Sequence, residues 1–313
     1  EIIEKRKENK KRILGYFNAS EDDWDNYKWH LKNVIRDAEP LIQLLEMSEK
    51  QKNAIKKAVA NRLPFGITPY YLSLMDFEKD SEYDHAIRQM VFPSQYYVDK
   101  MSEFRAMREF QFDFMGEHDT SPIDLVTRRY PQIAIFKPFN TCAQICVYCQ
   151  RNWEIDQVLD PKALASTEKI DKALEWFDEH KSIGDVLITG GDPLVMKDSR
   201  LEYILQKIAE KDHVYRIRLG TRTPVVMPMR WTDNLMRIIK DVHNPPHREV
   251  AVVTHFIHSY EITPEAAEAI QKIREAGISC YNQEVFTINN SRRFESVKLR
   301  MDMKSIGVDP YYT

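Results

Sequence analysis

Long apolar runs, cysteines and a surplus of either charge are all scarce in this 313-residue sequence, and each scarcity excludes something. No stretch approaches the roughly 20 apolar residues needed to span a bilayer. The opening EIIEKRKENKKR also lacks the apolar segment of a secretory signal. A membrane protein is therefore not expected, and a cytoplasmic one is. Lys and Arg number 45 against 48 Asp and Glu, and a formal charge of -3 gives no bulk attraction to nucleic acid or an anionic membrane. Four cysteines are too few for a disulfide framework. Three of them crowd into eight positions, which fits a reduced compartment and metal ligation, while Cys280 stands alone and reads as packed.

Core-forming residues are plentiful. With 43% apolar and 11% aromatic residues the chain can bury a sizeable core, as one large domain or two modest ones. Glu1 is not an initiator methionine, and Thr313 follows an expected strand with no helix, cap or polar tail, so both ends read as truncations.

Residues 1–127 read as a helical region. Ser20 with Asp23 is a capping-box pattern, and Trp24, Tyr27, Leu31, Val34 and Ile35 behind it predict one amphipathic helix. Ser48 with Gln51 repeats the cap before Ile55 and Val59, Pro64 stops that segment, and ITPYYLSLMDF reads as a buried connection. The basic start reads as a docking tail or, more readily, as a solvated helix face.

Residues 128–313 change character, with short β-branched runs alternating with amphipathic helices, the pattern of repeated βα units and a parallel sheet. Strands are expected near 133–136, 185–189, 215–219, 250–254, 279–285 and 308–312. Helices are expected near 163–180, 199–210, 232–242, 264–276 and 292–306. In the fourth helix Thr263 can cap, Pro264 suits the first position, Ala266, Ile270 and Ile273 form one stripe, and Gly277 suits the left-handed end. Six such strands form either an open doubly wound sheet or a partial barrel, and in both the chemistry sits on loops at the strands' C-terminal ends.

Cys142-Ala-Gln-Ile-Cys146-Val-Tyr-Cys149 follows the first of these strands as C-x3-C-x2-C. Three thiolates can ligate three irons of a [4Fe-4S] cube and leave the fourth iron open. An open iron can chelate the amino and carboxylate groups of S-adenosylmethionine and reduce its sulfonium. The alternative is a structural zinc with three cysteines and a histidine, but no histidine lies within twenty residues of the loop. Three small buried hydrophobes are the bland reading.

Beyond the cysteines, DWDNYKW, Arg129-Tyr130-Pro131, TGGDP, GTRTPVVMP, THF, EIT, NQ and PYY run collinearly along the chain. Together they resemble the lysine 2,3-aminomutase family of the radical S-adenosylmethionine superfamily, which includes glutamate 2,3-aminomutases. The resemblance implies a partial (β/α)6 barrel, a [4Fe-4S] cluster, S-adenosylmethionine and pyridoxal 5'-phosphate. It also implies a small-molecule amino acid substrate, an external electron donor such as flavodoxin or ferredoxin, and a homo-oligomer.

Paired glycines at a strand end let a ligand approach bare backbone. The resemblance gives Thr189, Gly190, Gly191 and Asp192 to S-adenosylmethionine, and Gln283 with them; from its own position Gln283 is nearly as well read as a core residue bonded to backbone. Arg129, Tyr130 and Arg222 match pyridoxal phosphate positions. For Arg222 the loop after the third strand supports this independently, whereas Arg129 alone reads as a surface arginine. Arg151, two residues after Cys149, matches the arginine that holds the substrate carboxylate. His255 and His258 read as structural.

Two features depart from the family. Val147-Tyr148 and Asn152-Trp153-Glu154 stand where its lysine enzymes commonly carry Arg-His and an arginine-rich run. The family's aldimine-forming lysine and its distal specificity residues lie beyond PYY, outside these 313 residues. The expected reaction is a 2,3-aminomutase shift of an α-amino group to the β carbon, through a 5'-deoxyadenosyl radical and a pyridoxal phosphate aldimine. One rival is a radical enzyme of the same family that acts without pyridoxal phosphate. The other is a metal-binding or electron-relay protein without turnover.

Overall fold

The computed structural model describes residues 1–78, 84–104, 112–288 and 290–312, so Thr313 and the reading that rests on it lie outside the described residues. Within them seven strands form one sheet: β1 (Val126–Thr127), β2 (Ile133–Phe139), β3 (Asp185–Gly190), β4 (Arg216–Gly220), β5 (Glu249–Thr254), β6 (Ser279–Gln283) and β7 (Asp309–Tyr312). Their order in space is their order in the chain. β2 to β7 are parallel, and the short β1, absent from the sequence reading, pairs antiparallel with β2 through Val126 and Phe136. A doubly wound sheet needs that order to reverse so that helices reach both faces. Without a reversal, crossovers of the usual right hand place successive helices on one face. The sheet is not closed by hydrogen bonds and is a partial (β/α)6 barrel.

The two faces differ in chemistry because side chains alternate along a strand. Ala134 and Phe136, Val186 and Ile188, Ile217 and Leu219, Val250 and Val252, and Cys280 are all buried on the helix side. There the Phe136 ring meets Phe177 edge-on at 5.8 Å. The opposite face carries polar residues: Arg218 Nε donates to Asp185 Oδ1 at 2.8 Å and its Nη1 to the Tyr311 hydroxyl at 3.3 Å.

The crossover helices are α9 (Thr167–Glu179), α10 (Asp198–Ala209), α12 (Asp233–Val242), α13 (Pro264–Glu275) and α14 (Arg293–Ile306), with the one-turn α11 (Thr223–Val226) after β4. α13 starts and stops as its sequence dictates: Thr263 Oγ1 accepts from Ala266 N at 2.9 Å, and Gly277 follows the helix at φ +76°.

Before β1 the described residues include α1 (Ile2–Phe17), α2 (Glu21–Trp24), α3 (Tyr27–Lys32), α4 (Ala38–Leu44), α5 (Glu49–Ala60), α6 (Pro69–Leu72), α7 (His85–Val91) and α8 (Gln95–Glu103). Both capping boxes form, Ser20 with Asp23 and Ser48 with Gln51. The single helix expected from Trp24 to Ile35 does not. Asn26 caps α3 by accepting from Lys28 N at 3.0 Å, and Ile35 leaves the helix to bridge Ile67. A side-chain amide that satisfies the backbone locally competes with a continuous helix, and here the cap wins.

On α1, Lys7, Lys11 and Arg12 are exposed, as a solvated face requires. Arg6, however, donates to the Tyr260 carbonyl and lies over its ring at 4.5 Å. The buried stretch 67–77 contains α6 and reaches the barrel: Thr68 Oγ1 donates to the Val226 carbonyl at 2.6 Å, and Tyr70 bonds Thr263 at 2.6 Å. The apolar core runs without a break from Ile13 to Val308. No helix among the described residues is long and apolar enough to cross a membrane.

Candidate cofactor and active site

The cysteine loop leaves the C-terminal end of β2, and four backbone hydrogen bonds tie it and that strand end to Gly66, Met90 and the β3 loop. Ile145 N donates to Gly66 O at 3.0 Å and Val147 N to Met90 O at 2.8 Å; Gly191 N donates to Phe139 O at 2.7 Å and Asp192 N to Thr141 O at 2.9 Å. The last contact explains the second glycine of TGGDP. A Cβ on Gly191 would fall 2.1 Å from the Thr141 carbonyl oxygen, so this glycine lets the β3 loop lie directly on the cysteine loop. Gly190, at φ +113°, makes the turn that brings it there.

All three thiols are free and half-buried. Burial, then Asp192 and the other two cysteines, pushes the Cys142 thiol well above its ordinary range; burial and Cys146 push Cys149 to about 11. Cations would reverse this by displacing the protons. Among the described residues no three His, Cys, Asp or Glu side chains converge to hold one metal ion. The donor set, three soft thiolates with no histidine among them, fits the iron-sulfur cube.

Asp192 ties this loop to the next. Its carboxylate accepts from Thr221 Oγ1 at 2.8 and 2.9 Å, from Leu194 N at 3.0 Å and from Arg222 N at 2.8 Å. Burial raises its pKa while these donors oppose the rise. Thr189 faces Gly220 on β4, its hydroxyl 2.9 Å from where a Cβ on that glycine would stand.

Arg222, in the loop after β4, turns toward the cysteines. Nη1 donates to Cys146 Sγ at 2.8 Å, Nε to the His255 carbonyl at 3.3 Å, and Nη2 to Glu261 and to the Tyr71 hydroxyl. The rings of Tyr71 and Tyr148 lie 5.2 and 5.7 Å from the guanidinium. Glu261 is fully buried and also accepts from Tyr71 Oη and Ile257 N, both at 2.7 Å. Sequence reasoning gave neither Glu261 nor Tyr71 a role. The first lay inside EIT, and the second inside a stretch read only as buried.

Arg151 is buried beside the loop, its backbone N 3.4 Å from Cys149 Sγ. Its two terminal nitrogens pair with Glu117 and Glu154, and its Nε has no partner although buried. Glu117 also binds Lys137 Nζ at 2.7 Å; burial raises its pKa, but Arg151 and Lys137 outweigh that and hold it low. Glu117 is another residue that the motifs did not indicate.

Gln283 lies at the same strand end as the cysteine loop, where His255, whose carbonyl accepts from Arg222, bonds its backbone. Gln283 ends β6 exposed, while its neighbour Asn282 is the buried one, bonded to Phe256 N at 2.6 Å and Phe256 O at 2.9 Å. Arg129 and the exposed Tyr130 precede β2, and the Arg129 side chain points to the segment of Glu117, where Asp113 feels both Arg129 and Arg151 and the Thr120 hydroxyl donates to the Glu117 carbonyl at 3.3 Å. Arg129 Nε reaches Thr120 Oγ1 at 3.4 Å. His258 meets Glu295 at 3.0 Å and accepts from Tyr260 N at 3.1 Å.

Residues 136–295 match the family model described as the Radical SAM superfamily, to which the chain belongs. Within that superfamily it belongs to the lysine 2,3-aminomutase family, as three relatives illustrate. A glutamate 2,3-aminomutase of Clostridioides difficile is 38% identical over the whole chain and 69% of the relative. An L-lysine 2,3-aminomutase of Methanococcus maripaludis is 36% identical over 94% of the chain and 65% of the relative. An uncharacterized KamA family protein of Methanocaldococcus jannaschii is 49% identical over the whole chain, which spans 51% of that protein's length. Family membership implies a [4Fe-4S] cluster and S-adenosylmethionine.

Proposed function

We propose that the protein is a radical S-adenosylmethionine 2,3-aminomutase acting on an L-amino acid of the lysine or glutamate type. The observation that carries this is the cysteine loop at the C-terminal end of β2, in a chain that aligns along its length with lysine and glutamate 2,3-aminomutases. Cys142, Cys146 and Cys149 would hold the cluster, and Thr189, Gly190, Gly191, Asp192 and Gln283 would line the S-adenosylmethionine site. Asp192 works there as a positioning residue, because its carboxylate is already filled by Thr221, Leu194 and Arg222. When bound, the cluster and S-adenosylmethionine supply a 5'-deoxyadenosyl radical, and pyridoxal phosphate supplies an electron sink. Arg151 orients the substrate by its carboxylate, which exchanges with Glu154, the more exposed of its two partners. Arg129 and Tyr130 remain the pyridoxal phosphate candidates on family grounds.

The test is to reconstitute the full-length protein anaerobically with iron, sulfide and pyridoxal phosphate, reduce it, and supply S-adenosylmethionine with lysine, glutamate or other amino acids. A β-amino acid seen by mass spectrometry is the expected product. Cleavage of S-adenosylmethionine with no isomerised amino acid would move the protein to the family relative without an amino shift. No cleavage at all would leave a metal-binding or relay protein.

A further inference from the structure

We infer that Arg222 tunes the reduction potential of the cluster through a charge-assisted N–H···S hydrogen bond to Cys146, with Glu261 fixing the guanidinium and offsetting its charge. This rests on the reading that Cys142, Cys146 and Cys149 hold a [4Fe-4S] cluster. Among the described residues Cys146 is the one of the three whose sulfur receives a side-chain N–H, at 2.8 Å. The donor cannot easily turn elsewhere. Its backbone N is bound to Asp192, its Nε to His255 O and its Nη2 to Glu261, and Tyr71 and Tyr148 lie against it.

Reduction adds one negative charge to a site that already carries three thiolates. A donor aimed at a ligating sulfur therefore stabilises the reduced state more than the oxidised one and raises the potential. The low dielectric around buried residues makes the effect larger than it would be in water. Glu261 works in the opposite sense. Being fully buried and bonded to Tyr71, Ile257 and Arg222, it cannot move away, so its charge subtracts from what the cluster feels.

The device predicts an order of potentials, in both directions from the native protein. Glu261→Gln leaves the guanidinium uncompensated and raises the midpoint. Arg222→Met with Glu261→Leu removes donor and counter-charge together and lowers it, with a tenfold fall in the reduction equilibrium constant, or about 59 mV for one electron. Arg222→Met alone, which leaves Glu261 facing the cluster, lowers it further. The measurement is an EPR-monitored anaerobic titration with dithionite on protein of matched iron content, and it needs no substrate turnover. The double variant also keeps the test open if an unpaired Glu261 prevents folding. Equal midpoints in the native protein, the double variant and Glu261→Gln would overturn the inference, as would a downward shift in Glu261→Gln. Native protein that forms no [4Fe-4S] cluster would instead overturn the reading on which it rests.

Discussion

At the scale of single residues, the site divides into groups that would touch a cofactor or substrate and groups that hold those in place. Two kinds of substitution separate them. Cys146→Ser removes a thiolate and should abolish cluster formation, whereas Cys280→Ser, on β6 and packed among apolar residues, should leave iron content unchanged; iron and sulfide analysis after reconstitution reads both. Arg151→Ala should weaken amino acid binding by about 2 to 5 kcal/mol through loss of a partly buried, charge-assisted carboxylate contact. Arg151→Lys should also be impaired, because a point charge cannot reproduce the fork. Glu117 refines this expectation. By holding one arm of Arg151, Glu117 presets the guanidinium, so Glu117→Gln should raise KM more than it lowers kcat. Unchanged kinetics in both Arg151 variants would remove the carboxylate assignment.

At the scale of elements, the close approach of the β3 loop to the cysteine loop makes a sharper forecast than a strand-end glycine pair alone. Gly191→Ala would drive a methyl group into the Thr141 backbone, so it should lower cluster retention as well as S-adenosylmethionine affinity. Iron content measured beside binding tells the two effects apart, and a fully iron-loaded Gly191→Ala would show that the loop yields. The βα register was legible in the sequence because every crossover helix carries an apolar stripe and most have a cap, as α13 shows with Thr263, Pro264 and Gly277. β1 was not, since two residues carry no periodicity. The break between α2 and α3 was masked because Trp24 to Ile35 keeps helical spacing across a local cap at Asn26. Of the site, the cysteine loop and TGGDP were legible as local spacing. The Arg222–Glu261–Tyr71 contacts were not, because their members are 39 and 151 residues apart from Arg222 along the chain.

At the scale of the whole molecule, stability should fall on acidification, in part through His30. This side chain is fully buried among Trp24, Trp29 and Tyr70, with Nε2 2.6 Å from the Trp24 carbonyl and Nδ1 without a partner. Burial, helped by Lys10 and opposed by the Trp24 carbonyl, holds its pKa down to about 4. The unfolded chain therefore binds a proton that the folded chain refuses. The contribution is complete above pH 6.5 and is lost as pH falls from 6.5 toward 4, amounting to about 3 kcal/mol over that window. Urea unfolding at several pH values should show a shallower pH dependence for His30→Leu than for the native protein over that range. Parallel curves would mean that His30 is protonated in the fold.

The stretch around α6 has a consequence for the protein's modularity. Tyr71 comes from well before the first parallel strand, yet its hydroxyl shares Glu261 with Arg222 at the mouth of the barrel, and Thr68 of the same stretch holds the Val226 carbonyl. Glu117, also upstream of the barrel, neutralises Arg151. A barrel excised at residue 128 would thus leave buried charges facing solvent or each other at the place where the chemistry is proposed. The helical region and the barrel behave as one inheritance: a chimera joining this barrel to a relative's leading segment should fail unless Tyr71 and Glu117 travel with it.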